Sequence, residues 1–488
     1  MADNPTGNPI KKLALKVEGK RAKAIAAPAG GEAAGGGKTA GADKEHKPRF
    51  LRRVVEQWWN RLIGAVFGHQ ESALSEQYLA HQTTRDYALN TAGQAAWGAL
   101  FPLLTMVCTW VVGAEQAGLF SMAFTIGTLL LFLANFGTRT YQVSDIDEMQ
   151  SFADYQVHRV ITCAAMIFVG WAYCRARGYA EPMMSICMGV LAFRAVDGMA
   201  DVYEGRLQQK DKLYLAGLSQ AVRCGAGFVL FALVLLITRN LVWASWAMAI
   251  AAAVSLVFIS APLAILETDR GERPKLRRIG ELFCACWPLF AALFLYNVID
   301  SMPKFAMEGA LSYDNQLYYN AMYFPAHTIL MISAFIYKPQ LVRLARIWDD
   351  PEKRRRFDLL VLAMIGVIAL TGGAMALFMG TLGIPLLNLM YGLDFEQFRS
   401  LVFVMVATGG LCACIDFLYQ IVTVLRAQRE VTLYYGVAFA FSIPVSMLLV
   451  NFAGLSGAVV GSLVVMAILL LLLVMEYLNI RRRMAKEG

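Results

Sequence analysis

The chain has 488 residues, 58% hydrophobic and only 16% charged, with a formal net charge of +8 and a mean hydropathy of +0.50. Soluble globular chains carry about 25% charged and about 45–50% apolar residues, so a soluble enzyme, a disordered chain and a fibrous protein are excluded. Residues 1–87 hold 14 Lys and Arg and 9 Asp and Glu, which leaves a sparsely charged, polytopic membrane body behind a polar tail.

Residues 1–49 are rich in Ala, Gly and Lys, and are expected to be a disordered basic cytoplasmic tail. They contain no apolar run of secretory-signal type. Residues 50–84 are expected to form an amphipathic interfacial helix and linker, because Leu51, Val54, Val55, Trp58, Leu62 and Val66 recur at helical spacing beside Arg52, Arg53 and Arg61. From residue 88 onward twelve apolar segments approach the ~20 residues that a span needs. Their expected limits are 88–112, 118–138, 158–173, 182–203, 214–237, 241–266, 282–308, 318–337, 358–380, 400–425, 431–451 and 457–478. Gly383–Gly392 is too short to span and reads as a surface-lying or re-entrant turn.

The expected fold is therefore an all-α integral membrane bundle of about 12 helices. It divides into a six-helix lobe at 85–266, a connection at 267–281, a second lobe at 282–480 and a basic tail at 481–488. An even number of crossings per repeat keeps its orientation, so the lobes would be related by a pseudo-twofold axis along the membrane normal around a central cavity. The connections after segments 2, 4, 6, 8 and 10, with the C-terminal tail, carry 22 Lys and Arg, and the alternate ones carry 4. That bias predicts both termini in the cytoplasm.

Nine cysteines lie almost all inside apolar segments. The two Cys-Ala-Cys pairs, 284–286 and 412–414, point to opposite helix faces, since two residues turn a helix by about 200°. Packing thiols are expected, without a metal or a disulfide framework.

Ionisable side chains inside spans are costly and typically face a cavity or a partner. Arg194 and Arg223 fall in segments 4 and 5, at nearly equal distances from the turn near Gln208, and so at similar depth. Asp197, one helical turn from Arg194, either pairs with it structurally or lines a cavity with it. Arg223 has no local partner. Arg139 ends segment 2, as a site residue or a positive-inside anchor. Lys304 follows Pro303 with Asp300 and Glu308 four residues to either side, and is either functional or a snorkelling lysine. Asp416 is a buried acid without a basic neighbour in sequence, able to take up a proton or to accept a hydrogen bond. Arginine suits phosphate, because its planar fork makes two parallel hydrogen bonds. Neither a Walker A loop nor an HExxH motif is present, and no outer connection exceeds about twenty residues. Enzyme activity, a cofactor and nucleic-acid binding are not expected.

Asn135-Phe-Gly-Thr-Arg-Thr-Tyr-Gln-Val-Ser-Asp145, with Tyr155 and Arg159, resembles the region between the second and third spans of bacterial polysaccharide (O-antigen-type) flippases. These belong to the multidrug/oligosaccharidyl-lipid/polysaccharide exporter superfamily. Asp201-Val-Tyr-Glu-Gly-Arg-Leu-Gln-Gln209 with Arg223, Pro303-Lys304-Phe-Ala306, and Gly383-Ile-Pro385 with Tyr391-Gly392 are similar too, in the same order along residues 85–480. Ser301-Met302 and Glu308 depart from the pattern, where related chains often have Asn-Ala and Asp, and the tail 1–84 has no counterpart. The resemblance implies outward transfer of a polyprenyl-diphosphate-linked oligosaccharide across the bacterial inner membrane by alternating access, driven by an ion gradient or membrane potential. It also implies substrate contacts at Arg139, Arg194, Arg223 and Lys304, with Asp197 and Asp416 as candidate ion-coupling carboxylates. Glycosyltransferases or a polymerase of the same route are candidate partners. A drug or small-cation exporter of the same fold, or a membrane scaffold for glycosyltransferases, are the alternatives.

Overall fold

The computed structural model describes residues 76–145, 148–268, 272–348, 354–425 and 428–487. The expected tail and most of the interfacial helix and linker lie outside them. The described helices, in chain order, begin with α1 (Glu76–Val112), α2 (Ala114–Asn135), α3 (Thr138–Ser144) and α4 (Phe152–Ala176). Next come α5 (Met183–Gln209), α6 (Leu213–Thr238) and α7 (Leu241–Ser255), which continues through a π-turn to Glu267. The second half contains α8 (Leu276–Met307), α9 (Asp314–Tyr337), the short α10 (Leu341–Trp348), α11 (Arg354–Phe378) and α12 (Arg399–Val424). The last helical run, Gln428–Glu487, is broken at Gly454, whose φ of 59° and ψ of −131° are not helical. It is described below as α13 (428–453) and α14 (455–487).

Among the described residues ten stretches are long and apolar enough to cross a membrane, the last of them Val431–Arg482. The break at Gly454 divides that one in two, and the 24-residue α9 adds a further long helix with more polar content. Twelve long helices thus stand among the described residues. They satisfy their backbone hydrogen bonds internally, as a hydrocarbon environment requires, and they present exposed apolar residues such as Ile237, Leu370 and Phe452 on their outer faces. Local signals place the ends. Ser151 and Asp154 form a reciprocal capping box at the start of α4, and the Asn240 side chain accepts from the Val242 N–H at the start of α7.

One sequence-based expectation is corrected. Gly383–Gly392 is neither a surface-lying nor a re-entrant turn, because α11 runs on through a π-turn at Met379–Gly383 into Ile384–Tyr391. Pro385 occupies the first turn of that extension, where its missing N–H costs little. The left-handed Gly392 (φ 66°) ends it.

Helix pairing repeats between the halves. In the N-terminal half α1 packs on α6, α2 on α5 and α4 on α5; in the C-terminal half α8 packs on the α13–α14 run, α9 on α12 and α11 on α12. The halves meet chiefly where α2 crosses α9 and α8. At one end of the bundle Gly118 of α2 lies against the backbone of Tyr313, so close that a Cβ there would stand 1.8 Å from the Tyr313 carbonyl oxygen. Beside it the Trp110 indole donates to the Met390 carbonyl (2.7 Å). At the opposite end the Lys275 N–H donates to Asp154 Oδ1 (2.8 Å), and Phe136 stacks on Phe290 with ring centres 4.3 Å apart.

Candidate functional site

A cavity of about 200 Å³ lies between the halves, lined by α1, α2 and α5 on one side and by α8, α9 and Tyr391 on the other. Of the six residues singled out by sequence, Arg194 and Lys304 line it. The charged residues of its wall are these two and Asp300. Arg194 reaches it from α5. Its Nη1 donates to Asp197 Oδ2 (3.1 Å), its Nη2 donates to Thr128 Oγ1 (3.0 Å), and its guanidinium lies 4.3 Å from the centre of the Phe124 ring. The buried Arg194 Nε has no partner.

Lys304 is buried on α8, and among the described residues its ammonium makes neither an ion pair nor a hydrogen bond. It lies instead over the rings of Tyr323 (4.6 Å) and Tyr319 (5.8 Å). A cation over an aromatic face recovers about 2 kcal/mol when desolvated, less than an anion would supply. Asp300, one turn earlier, accepts from the Tyr323 hydroxyl at 3.0 and 2.9 Å. Sequence reasoning placed Glu308 as a second flank of Lys304, but α8 ends at Met307 and Glu308 is already extended (φ −66°, ψ 120°). Helical i+4 spacing does not apply there.

Glu308 instead joins the halves. It pairs with Arg177 (3.1 Å) and accepts from the hydroxyls of Tyr173 (3.2 Å) and Tyr179, all from the α4 side. Burial raises its carboxyl pKa above the ordinary value, an effect that Arg177 and the Tyr173 hydrogen bond only partly offset.

Arg139, Arg223 and Asp197 line a second cavity, of about 170 Å³, inside the N-terminal half. Arg223 has no partner nearby in sequence and finds two across the α5–α6 hairpin: its Nη2 pairs with Asp197 Oδ1 (2.7 Å) and its Nη1 with Glu204. Arg139 pairs with Asp201 (2.6 Å), which also binds the fully buried Arg159 (2.8 Å). Four guanidiniums thus enclose three carboxylates across α3–α6. Asp197 is held by both Arg194 and Arg223 and by the Trp97 indole N–H (3.0 Å), so it is a tied structural anion. Trp97 lines both cavities. Asp416 lines neither, and accepts from the Tyr337 hydroxyl of α9.

Trp97, Asp300, Glu204 and His327 were missed by sequence reasoning. Glu204 stood inside the Asp201–Gln209 motif, and the spacing Asp300–Lys304 was noted without its consequence. Nothing in the sequence marked Trp97 or His327.

No protein-family profile and no curated protein matches the chain. Solved structures do. A multidrug resistance MATE family transporter of the MOP superfamily, in an inward-facing conformation, matches with a TM-score of 0.56 at 14% identity, covering 79% of this chain and 96% of the other. A eukaryotic MATE transporter matches at 0.54 and 12% identity, covering 82% and 96%. A MOP superfamily transporter from Pyrococcus furiosus, in which reverse polarity of the binding pocket suggests a different function, matches at 0.52 and 14%, covering 83% and 95%. The chain has the fold of the MATE transporters of the MOP superfamily.

Proposed function

We propose that this protein moves a polyprenyl-diphosphate-linked oligosaccharide from the cytoplasmic to the outer leaflet of a bacterial inner membrane by alternating access. In this reading both termini are cytoplasmic and the Glu308 end faces outward. The observation that carries it is the buried, unpartnered Lys304 ammonium facing Arg194 across a cavity between the halves. Two cations from opposite halves suit a bridging diphosphate, which would draw the halves together as it binds. The hydrocarbon chain would remain in the bilayer. A drug exporter of the same fold is the competing reading, favoured by Asp300 and the aromatic lining, which suit an organic cation.

The test is translocation of a short-chain lipid-linked oligosaccharide in proteoliposomes. Lys304→Gln and Arg194→Gln should each lower it at least about tenfold, the loss expected for one charge-assisted hydrogen bond, with reconstitution unchanged. Wild-type rates in the double variant would sink the assignment. Efflux of cationic dyes unaffected by Lys304→Gln would favour the drug exporter.

Alternating access requires the Glu308 contacts to break when that end opens. A carboxyl whose pKa is raised in the closed form, and ordinary once solvated, binds its proton more tightly when closed. Closure is therefore fully supported below the open-form value and weakens as pH rises through the closed-form value. Spin labels placed at residues 180 and 312, with the nine native cysteines replaced, should report a longer mean distance as pH rises. Glu308→Gln should flatten that dependence.

A further inference from the structure

The central cavity carries one charge that a simple anion site would not contain. Arg194 and Lys304 bring two positive charges to the cavity, one of them already partly engaged by Asp197, so they can answer a diphosphate and no further anion. Asp300 projects a carboxylate into the same space, fixed there by the Tyr323 hydroxyl on both of its oxygens. In a cavity of about 200 Å³ a ligand held by Arg194 and Lys304 also lies near Asp300. The remaining polar lining of the C-terminal half is neutral. Among the described residues, the Ser301 hydroxyl and the His327 ring make no hydrogen bond, and the buried Asn320 Oδ1 has none.

We infer that Asp300 makes the cavity select against acidic sugars: the ligand it takes is a diphosphate joined to an uncharged or amino-bearing sugar, not a uronate. The inference rests on the function proposed above and narrows its substrate. A diester diphosphate bears two negative charges, which Arg194 and Lys304 meet. A sugar carboxylate would add a third beside Asp300, with no cation left in the lining to receive it. Like charges brought together out of water are the strongest rejecting device an interface has. A hydroxyl or an amine does the opposite, because it donates to the carboxylate, while Ser301, Asn320 and His327 offer neutral partners to the other hydroxyls. The rings of Tyr296, Tyr323 and Phe324 supply faces for the apolar side of a pyranose.

The test uses the full-length protein in nanodiscs with two probes, farnesyl diphosphate carrying N-acetylglucosamine and farnesyl diphosphate carrying galacturonic acid, titrated at neutral pH. The wild type should bind the first at least about tenfold more tightly, a modest share of what like-charge juxtaposition costs. Asp300→Asn should abolish the difference by strengthening the uronate probe, and Asp300→Glu should retain it. Equal affinities in the wild type, or preference for the uronate, overturn the role of Asp300 while leaving the flippase reading in place. Failure of both probes and of farnesyl diphosphate itself to bind overturns both. The wild-type comparison decides the matter even where a variant does not fold.

Discussion

Arg223→Ala should cost the protein its stability before it costs any transport. The side chain is 1% exposed and answers two carboxylates at once, Asp197 and Glu204, which are themselves 5% and 2% exposed. Removing the cation leaves Asp197 to Arg194 and the Trp97 indole, and leaves the buried Glu204 with only the Ser219 hydroxyl and Arg139 at 3.8 Å; breaking a buried pair of this kind costs about 3–5 kcal/mol. The measurement is thermal unfolding of the detergent-solubilised protein, where a large fall in the midpoint and a poor yield are expected. Glu204→Gln placed on top of Arg223→Ala should recover part of the loss, since it removes the buried carboxylate left with the weaker compensation. A normal melting point for the single alanine variant would show that Arg223 is dispensable to the fold, and would return it to the list of substrate-binding candidates. By contrast, Lys304→Gln removes a charge with no partner to orphan, so it should melt no lower than wild type while failing in translocation.

Gly118→Val should stop the transport cycle by denying one end of the bundle its closed form. The Cβ would stand 1.8 Å from the Tyr313 carbonyl oxygen and 2.3 Å from the carbonyl carbon, and both of those atoms are backbone. Neither can rotate aside, so the α2 and α9 starts must separate. An end that cannot close cannot complete an alternating cycle, so transport should fall to background. Spin-label distances across this end should lengthen. Gly225→Ala serves as the control, because a Cβ there meets nothing within 4 Å, and it should transport normally. Normal rates in Gly118→Val would mean that the contact between α2 and Tyr313 is not made during the cycle.

The bundle itself was legible in the sequence, because a hydrocarbon layer imposes a length on every crossing. The expected segment 214–237 falls one residue short of α6 at each end, and 241–266 one residue short of the α7 run at its end alone. The α11 extension was not legible, since Gly383 and Pro385 read as punctuation. In the folded chain a π-turn absorbs the irregularity and lets the helix continue. The site was legible in part. That Arg194 and Arg223 share a depth followed from counting along the hairpin, and both pair with Asp197. The second partner of Arg223 was hidden because Glu204 is 19 residues away, joined to it by the turn between α5 and α6 rather than by any helical repeat. For Lys304, a spacing of four residues named two acids of equal merit. Only the end of α8 at Met307 separates them, sending Glu308 outward to α4 and leaving Asp300 at the cavity. Asp416 was read as a proton acceptor or a hydrogen-bond acceptor, and the Tyr337 hydroxyl occupies it.

Trp97 is a wall shared by two rooms. Its indole lines both voids, of about 200 Å³ and about 170 Å³, and is held by its hydrogen bond to Asp197 and by the Arg194 guanidinium 5.4 Å from its ring centre. A change of that one side chain is therefore felt in both rooms at once, because the same indole bounds each of them.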